Sequence, residues 1–187
     1  MRKYGIDRFN FGRVAKEAGV TSPLVHYYFK SREELLAEVY RGLMCQIPNL
    51  PKKRPSNLGI AIVALNEFVD ANFEASYYDR SNFRPWLALW HELQCNPDLQ
   101  RESKNIEAPI RGQLIVLFNF IADARGMTIN APQLAHQFDC LLNGLWISWC
   151  LDQGRKHHCL DEKASAIAFL ESHLGPLRPP SRGLLGR

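Results

Sequence analysis

Between Asn10 and Leu36 the chain starts, stops and restarts a helix twice within 27 residues, a rhythm that constrains the fold more than any other feature. Asn10 is a good N-cap, and Phe11, Val14, Ala15 and Ala18 follow at spacings of three and four, one face of an α-helix. Gly19 supplies the left-handed conformation a sharp helix stop needs, with Val20 folding back as an apolar contact. Thr21 caps the next helix, Pro23 is tolerated in its first turn, and Leu24, Val25, Tyr28 and Phe29 make its apolar stripe. For Tyr28 and Phe29 that stripe predicts core packing. Ser31 and Glu34 form a capping box ahead of Leu35, Leu36, Val39, Tyr40 and Leu43, so a third helix runs to about Gln46.

The rest of the chain is also helical in period. Three prolines and three cations between Pro48 and Ser56 exclude a helix interior and predict a linker over 47–56. Asn57 opens a helix with Leu58, Ile62, Leu65, Phe68, Val69 and Phe73 on its inward face, and Trp86, Leu89, Trp90 and Leu93 mark the next. A segment from Asp98 to Arg125 is either kinked or broken at Pro109 and closed by Gly126. Asn130 caps a helix through Asp152, Asp161 caps a last one ending at Gly175-Pro176, and three prolines predict a disordered tail over 176–187. The expected architecture is all-α, with a head over 1–46 and a body over 57–175. Alternating strand patterns are absent.

Charge and cysteine usage narrow the setting. The net charge is only +4, but eight cations against five acids fall between Met1 and Leu43, so the head is the basic part. Five cysteines, an odd number without a Cys-x-x-Cys pair, predict reduced thiols and a cytoplasmic protein. Neither a signal peptide nor an 18-residue apolar run is present, which predicts no membrane partner.

Two short helices joined by a glycine turn, the second exposing small polar and basic residues, fit the major groove of DNA. The residues Val14-Ala15, Ala18-Gly19-Val20-Thr21, His26-Tyr27-Tyr28-Phe29-Lys30-Ser31-Arg32 and Leu35-Leu36 resemble the signature of the tetracycline-repressor (TetR) family. The resemblance implies that Thr21, Ser22, Pro23, His26 and Tyr27 face bases or nearby phosphates. It places Lys30 and Arg32 on the DNA backbone. His26 stands where the family carries a tyrosine, and a neutral imidazole retains one N–H to donate. The family opens its head with a further bracing helix, of which only Met1 to Gly5 occupy the last turn, so the resemblance implies a head truncated at its N-terminus, with reduced DNA affinity.

The segments Val69-Asp70-Ala71-Asn72-Phe73, Pro85-Trp86-Leu87-Ala88-Leu89-Trp90 and Leu141-Leu142-Asn143-Gly144-Leu145-Trp146 resemble the C-terminal domain of the choline-responsive, BetI-like repressors. That implies a small-molecule inducer of quaternary-ammonium type and a homodimer built on the last two helices, with Leu145, Trp149, Ile167, Leu170 and Leu174 facing the second copy. Trp86 with Trp90, and Trp146 with Trp149, share helix faces. Phe73, Trp86, Trp90 and Trp146 are the candidate ligand residues, as part of a cation box or as ordinary core. Glu92, Asp139 and Asp152 are acids available to balance a cation.

His136 with Cys140, and the cluster His157-His158-Cys159, supply too few ligands for a zinc pattern, and no cofactor fingerprint or nucleophile motif appears. The sequence therefore predicts no metal, no cofactor and no enzyme. It predicts a ligand-responsive repressor of operator DNA; the alternative is a dimeric small-molecule-binding protein lacking competent DNA binding.

Overall fold

A computed structural model describes residues 9–44, 50, 54–74, 78–152 and 159–178. Among these residues eight helices appear: α1 (Phe11–Ala18), α2 (Ser22–Tyr28), α3 (Arg32–Met44), α4 (Leu58–Asn72), α5 (Arg80–Cys95), α6 (Pro97–Ala124), α7 (Ala131–Leu151) and α8 (Cys159–Leu174). No strand occurs among the described residues, so the fold is all-α. The first eight residues, most of the expected linker, His157, His158 and the tail from 179 onward lie outside the described residues.

Local chemistry explains where helices begin. Asn10, Asn57 and Asn130 each accept a hydrogen bond from the backbone N–H three residues on, at 2.9, 2.9 and 3.1 Å. Ser31 accepts from Glu34 N–H at 3.1 Å, while the Glu34 carboxylate reaches back to Lys30 N–H at 2.8 Å. α6 runs unbroken through Pro109. Its 28 residues span about 42 Å, and the single backbone donor lost at a proline is a small fraction of its ladder. α8 begins at Cys159, two residues before the expected cap, which places Asp161 and Glu162 in its first turn beside the unpaired amide groups.

The chain divides into two compact units, Met1–Gln46 with Asp79–Glu107, and Ile47–Tyr78 with Ala108–Arg187. In the first, Val25, Leu35, Leu36, Tyr40, Leu89 and Leu99 are buried, so α5 and the start of α6 share a core with the helix-turn-helix. In the second, Leu65 and Val69 of α4, Phe118 and Ile121 of α6, Phe138 of α7 and Leu170 and Leu174 of α8 are fully buried. Leu170 and Leu174 therefore belong to this chain's own core, a correction to their expected place facing a second copy. The reason is that α8 turns this stripe onto α4 and α7.

A strap closes the second unit. Gly175 leaves α8 at φ 77°. Arg125 donates to the carbonyl oxygen of Leu174 and, at 2.5 Å, to that of Pro176. Leu177 N–H donates to Glu171 at 2.9 Å, Asn66 donates to the Leu177 carbonyl at 2.8 Å, and the Leu177 side chain is buried. The first residues of the expected tail, Pro176 to Arg178, are thus part of a packed end.

Candidate functional site

The helix-turn-helix is set by one glycine. Gly19 sits at φ 68°, ψ 27°, and Val20 N–H donates to Ala15 carbonyl at 2.9 Å, closing the end of α1. α2 follows the N-cap residue Thr21, whose side chain makes no capping hydrogen bond. Its hydroxyl is not consumed by the backbone. Val25 is the buried residue of α2 and fixes it against α1. The ring of His26 stacks on Phe11 at 4.0 Å and 17°, tying the two helices together on their outer side.

Around that anchor the expected DNA-facing residues are open to solvent. Thr21, Pro23, His26, Tyr27 and Lys30 are exposed, Tyr27 by 80%, and Ser22 is half-buried. Tyr28 is 69% exposed, which corrects its expected core position. The helix ends there, and the extended backbone at Phe29 breaks the 3.6-residue period, so Phe29 turns partly inward in its place. Next to the C-terminal end of α2, where Tyr28 and Phe29 form part of its wall, an open groove of about 660 Å³ is lined by five acids, Glu33, Glu34, Glu38, Asp98 and Glu102, against Arg41 and Arg101. That excess of carboxylates disfavours an anion in the groove.

Arg32 is the expected contact whose surroundings differ most. Both terminal nitrogens of its guanidinium donate to the Glu92 carboxylate of α5, at 2.8 and 2.9 Å, with 36% and 16% of the two side chains exposed. Hydrogen bonding from Arg32 holds the Glu92 carboxyl below its ordinary range, against the opposing effect of burial, and Glu92 raises Arg32 in turn. A depressed carboxyl contributes stability that is present above the unfolded-state pKa and lost as pH falls through the lower folded value. The melting-temperature gap between the parent and Glu92→Gln chains is therefore expected to shrink from pH 7 towards pH 3. A gap independent of pH would show that the ion pair is not its source.

Further along α3, Tyr40 meets Trp86 edge-on at 5.5 Å and its hydroxyl donates to Glu107, while Arg41 bonds Glu38 at 2.8 Å and Glu102 at 2.9 Å. α3 is thus fastened to α5 and α6 along its length.

The four candidate ligand residues fall two by two. In the first unit Trp86 is buried and its ring lies 6.1 Å from that of the half-buried Trp90. In the second, Phe73 and Trp146 line a cavity of about 30 Å³ together with Asn72, Tyr78, Leu142 and Asn143. Phe73 and Tyr78 rings are 5.2 Å apart, and Tyr78 and Trp149 rings 4.4 Å. Sequence reasoning missed Asn72, Tyr78 and Asn143 as lining residues. Asn72 and Asn143 lie within the BetI-like segments of α4 and α7, whereas Tyr78 falls between helices, where periodicity carries no signal. A 30 Å³ space admits about one water, so this aromatic and amide cluster is closed to an organic cation unless its walls move.

Two of the three acids held available for a cation are neutralised by arginine, Glu92 by Arg32 and Asp139 by Arg111 at 3.3 Å. His136 lies 3.8 Å from Cys140 Sγ, and the described residues hold no group of three metal-ligating side chains. No described helix is long and apolar enough to cross a membrane.

Comparison with known proteins agrees with this geometry. Residues 1–39 match the bacterial regulatory proteins of the tetR family, and residues 62–177 match the BetI-type transcriptional repressor C-terminal domain. The chain is 24% identical over 148 residues to the HTH-type transcriptional regulator BetI 1 of Chromohalobacter salexigens, covering 79% of this chain and 71% of that one. It is 26% identical over 157 residues to BetI of Stenotrophomonas maltophilia, covering 83% and 76%. A transcriptional regulator from Pseudomonas aeruginosa superposes with a TM-score of 0.75 at 21% identity, covering 91% of this chain and 83% of that one. One from Saccharomonospora viridis, in complex with choline, superposes with a TM-score of 0.70 at 19% identity, covering 91% and 88%.

Proposed function

This chain belongs to the tetR family of bacterial regulatory proteins and to its BetI-type transcriptional repressors, and we propose that it represses as a homodimer released from operator DNA by a small quaternary-ammonium inducer. The observation that carries the DNA-binding part is the exposed face of α2, where Thr21, Pro23, His26 and Tyr27 are open to solvent while Val25 is buried beneath them. The dimer reading draws support from Leu145, Trp149 and Ile167, which remain half-buried on α7 and α8, and from Leu151, 65% exposed. A second copy would cover them.

The inducer reading rests on the rings of Phe73, Tyr78 and Trp146, gathered around a cavity with two amide side chains. Aromatic faces attract a quaternary ammonium, and amide carbonyls add acceptors without a competing positive charge. Inducer occupancy would favour one of two head spacings and so alter the fit to DNA half-sites about one helical turn apart.

The test is fluorescence anisotropy on a duplex selected from a random library by the protein itself, with a salt titration and then choline. Log K is expected to fall with log salt at about 0.9 per phosphate neutralised, and choline is expected to release the duplex. A flat salt response points instead to a ligand-binding protein without competent DNA binding. For Trp146→Ala, loss of one ring is expected to weaken choline about three- to thirty-fold while duplex affinity stays as in the parent. Unchanged choline release would remove Trp146 from the site.

A further inference from the structure

We propose that Glu92 and a DNA phosphate compete for Arg32, so that the carboxylate on α5 acts as an internal phosphate mimic that sets how much cationic charge the head offers to DNA. The inference rests on the repressor reading above and adds to it a side chain that tunes affinity from outside the DNA-facing surface.

Three observations converge. Arg32 opens α3 two residues after the exposed Lys30, and its side chain is 36% exposed, so solvent reaches the guanidinium. Both of its terminal nitrogens are committed to Glu92, at 2.8 and 2.9 Å. A planar guanidinium binds carboxylate and phosphate through the same fork of N–H groups, so it cannot serve both partners bidentately at once. Finally, Glu92 lies on α5, the helix that carries Trp86 and Trp90, within the same compact unit as the head.

The balance is close enough to be useful. A partly exposed ion pair is weak, and a phosphate contact made with counterion release is also modest, so neither partner monopolises Arg32. Departure of Arg32 leaves a carboxylate with 16% exposure and no compensating charge from that side chain. The cost of DNA contact is therefore felt on α5, where a shift in helix position changes the hold on Arg32.

The experiment measures binding of the full chain to a random-sequence 30-base-pair duplex across a salt series. Glu92→Gln is expected to raise affinity about five-fold at low salt and to steepen the log K against log salt slope by about 0.9, one further phosphate. Adding Arg32→Gln in that background is expected to abolish both gains. Should Glu92→Gln fail to fold, Glu92→Asp replaces it, since its shorter side chain cannot hold both nitrogens, and the same direction is expected. Unchanged or lowered affinity in a folded Glu92 variant overturns the proposal alone. A parent chain without salt-dependent binding overturns the repressor reading and this inference together.

Discussion

Gly19→Val is expected to weaken binding to the selected duplex by at least about ten-fold while the chain remains folded. Gly19 holds φ 68°, and a Cβ added there meets nothing within 4 Å, so the substitution introduces backbone strain without a clash. A β-branched residue in that conformation costs on the order of 1–3 kcal/mol. The chain escapes most simply by opening the turn. That move changes the angle between α1 and α2 and withdraws the α2 face from the groove. Gly126→Val is the internal reference, because Gly126 has φ 65° and the same open surroundings but lies in the second unit. It should carry a similar stability cost with no change in duplex affinity. If Gly19→Val bound as tightly as the parent, the turn would not be setting the recognition geometry.

The largest effect on stability is expected at Phe138. Its side chain is fully buried, meeting Phe118 edge-on and Phe169 face-to-face, each at 6.2 Å between ring centroids. Phe138→Ala removes a ring shared by contacts to α6 and α8, at a cost of about 3–5 kcal/mol in cavity and transfer terms. Urea unfolding followed by tryptophan fluorescence measures it. A loss below about 1 kcal/mol would mean that the three helices collapse around the gap and that the ring stack is not the centre of this core.

Much of the fold was legible because its signals are local. Asn10, Asn57 and Asn130 each place an acceptor three residues ahead of a donor, and the 3.6-residue period then runs to Gly19, Phe73 or Asp152. Tyr28 failed the same logic, since a period tells nothing of where a seven-residue helix gives way to extended chain. Leu170 and Leu174 show a second limit: the apolar face of α8 was correctly read, but an amphipathic pattern does not say whether its partner is in the same chain or another.

The candidate sites show the corresponding division. Thr21, Pro23, His26 and Tyr27 are neighbours on one helix, so a motif could name them. Arg32 and Glu92 are sixty residues apart, and Tyr78 meets Trp149 across a still longer separation. No spacing rule relates such pairs. Their pairing follows from how whole helices pack, which is why the sequence read Arg32 as a phosphate contact and Glu92 as an acid for a ligand without joining the two.

The strap after α8 bears on how this protein can be cut and handled. Helical periodicity would place the cut after Leu174, but the cooperative body extends to Leu177, whose side chain is 3% exposed. A chain shortened at the helix boundary loses that apolar plug and takes one acceptor each from Arg125 and Asn66, which keep only the Leu174 and Ile62 carbonyls. It also leaves Glu171 without its backbone donor. Three residues that look like the start of a dispensable terminus are a latch, and a fusion or a protease site belongs beyond it.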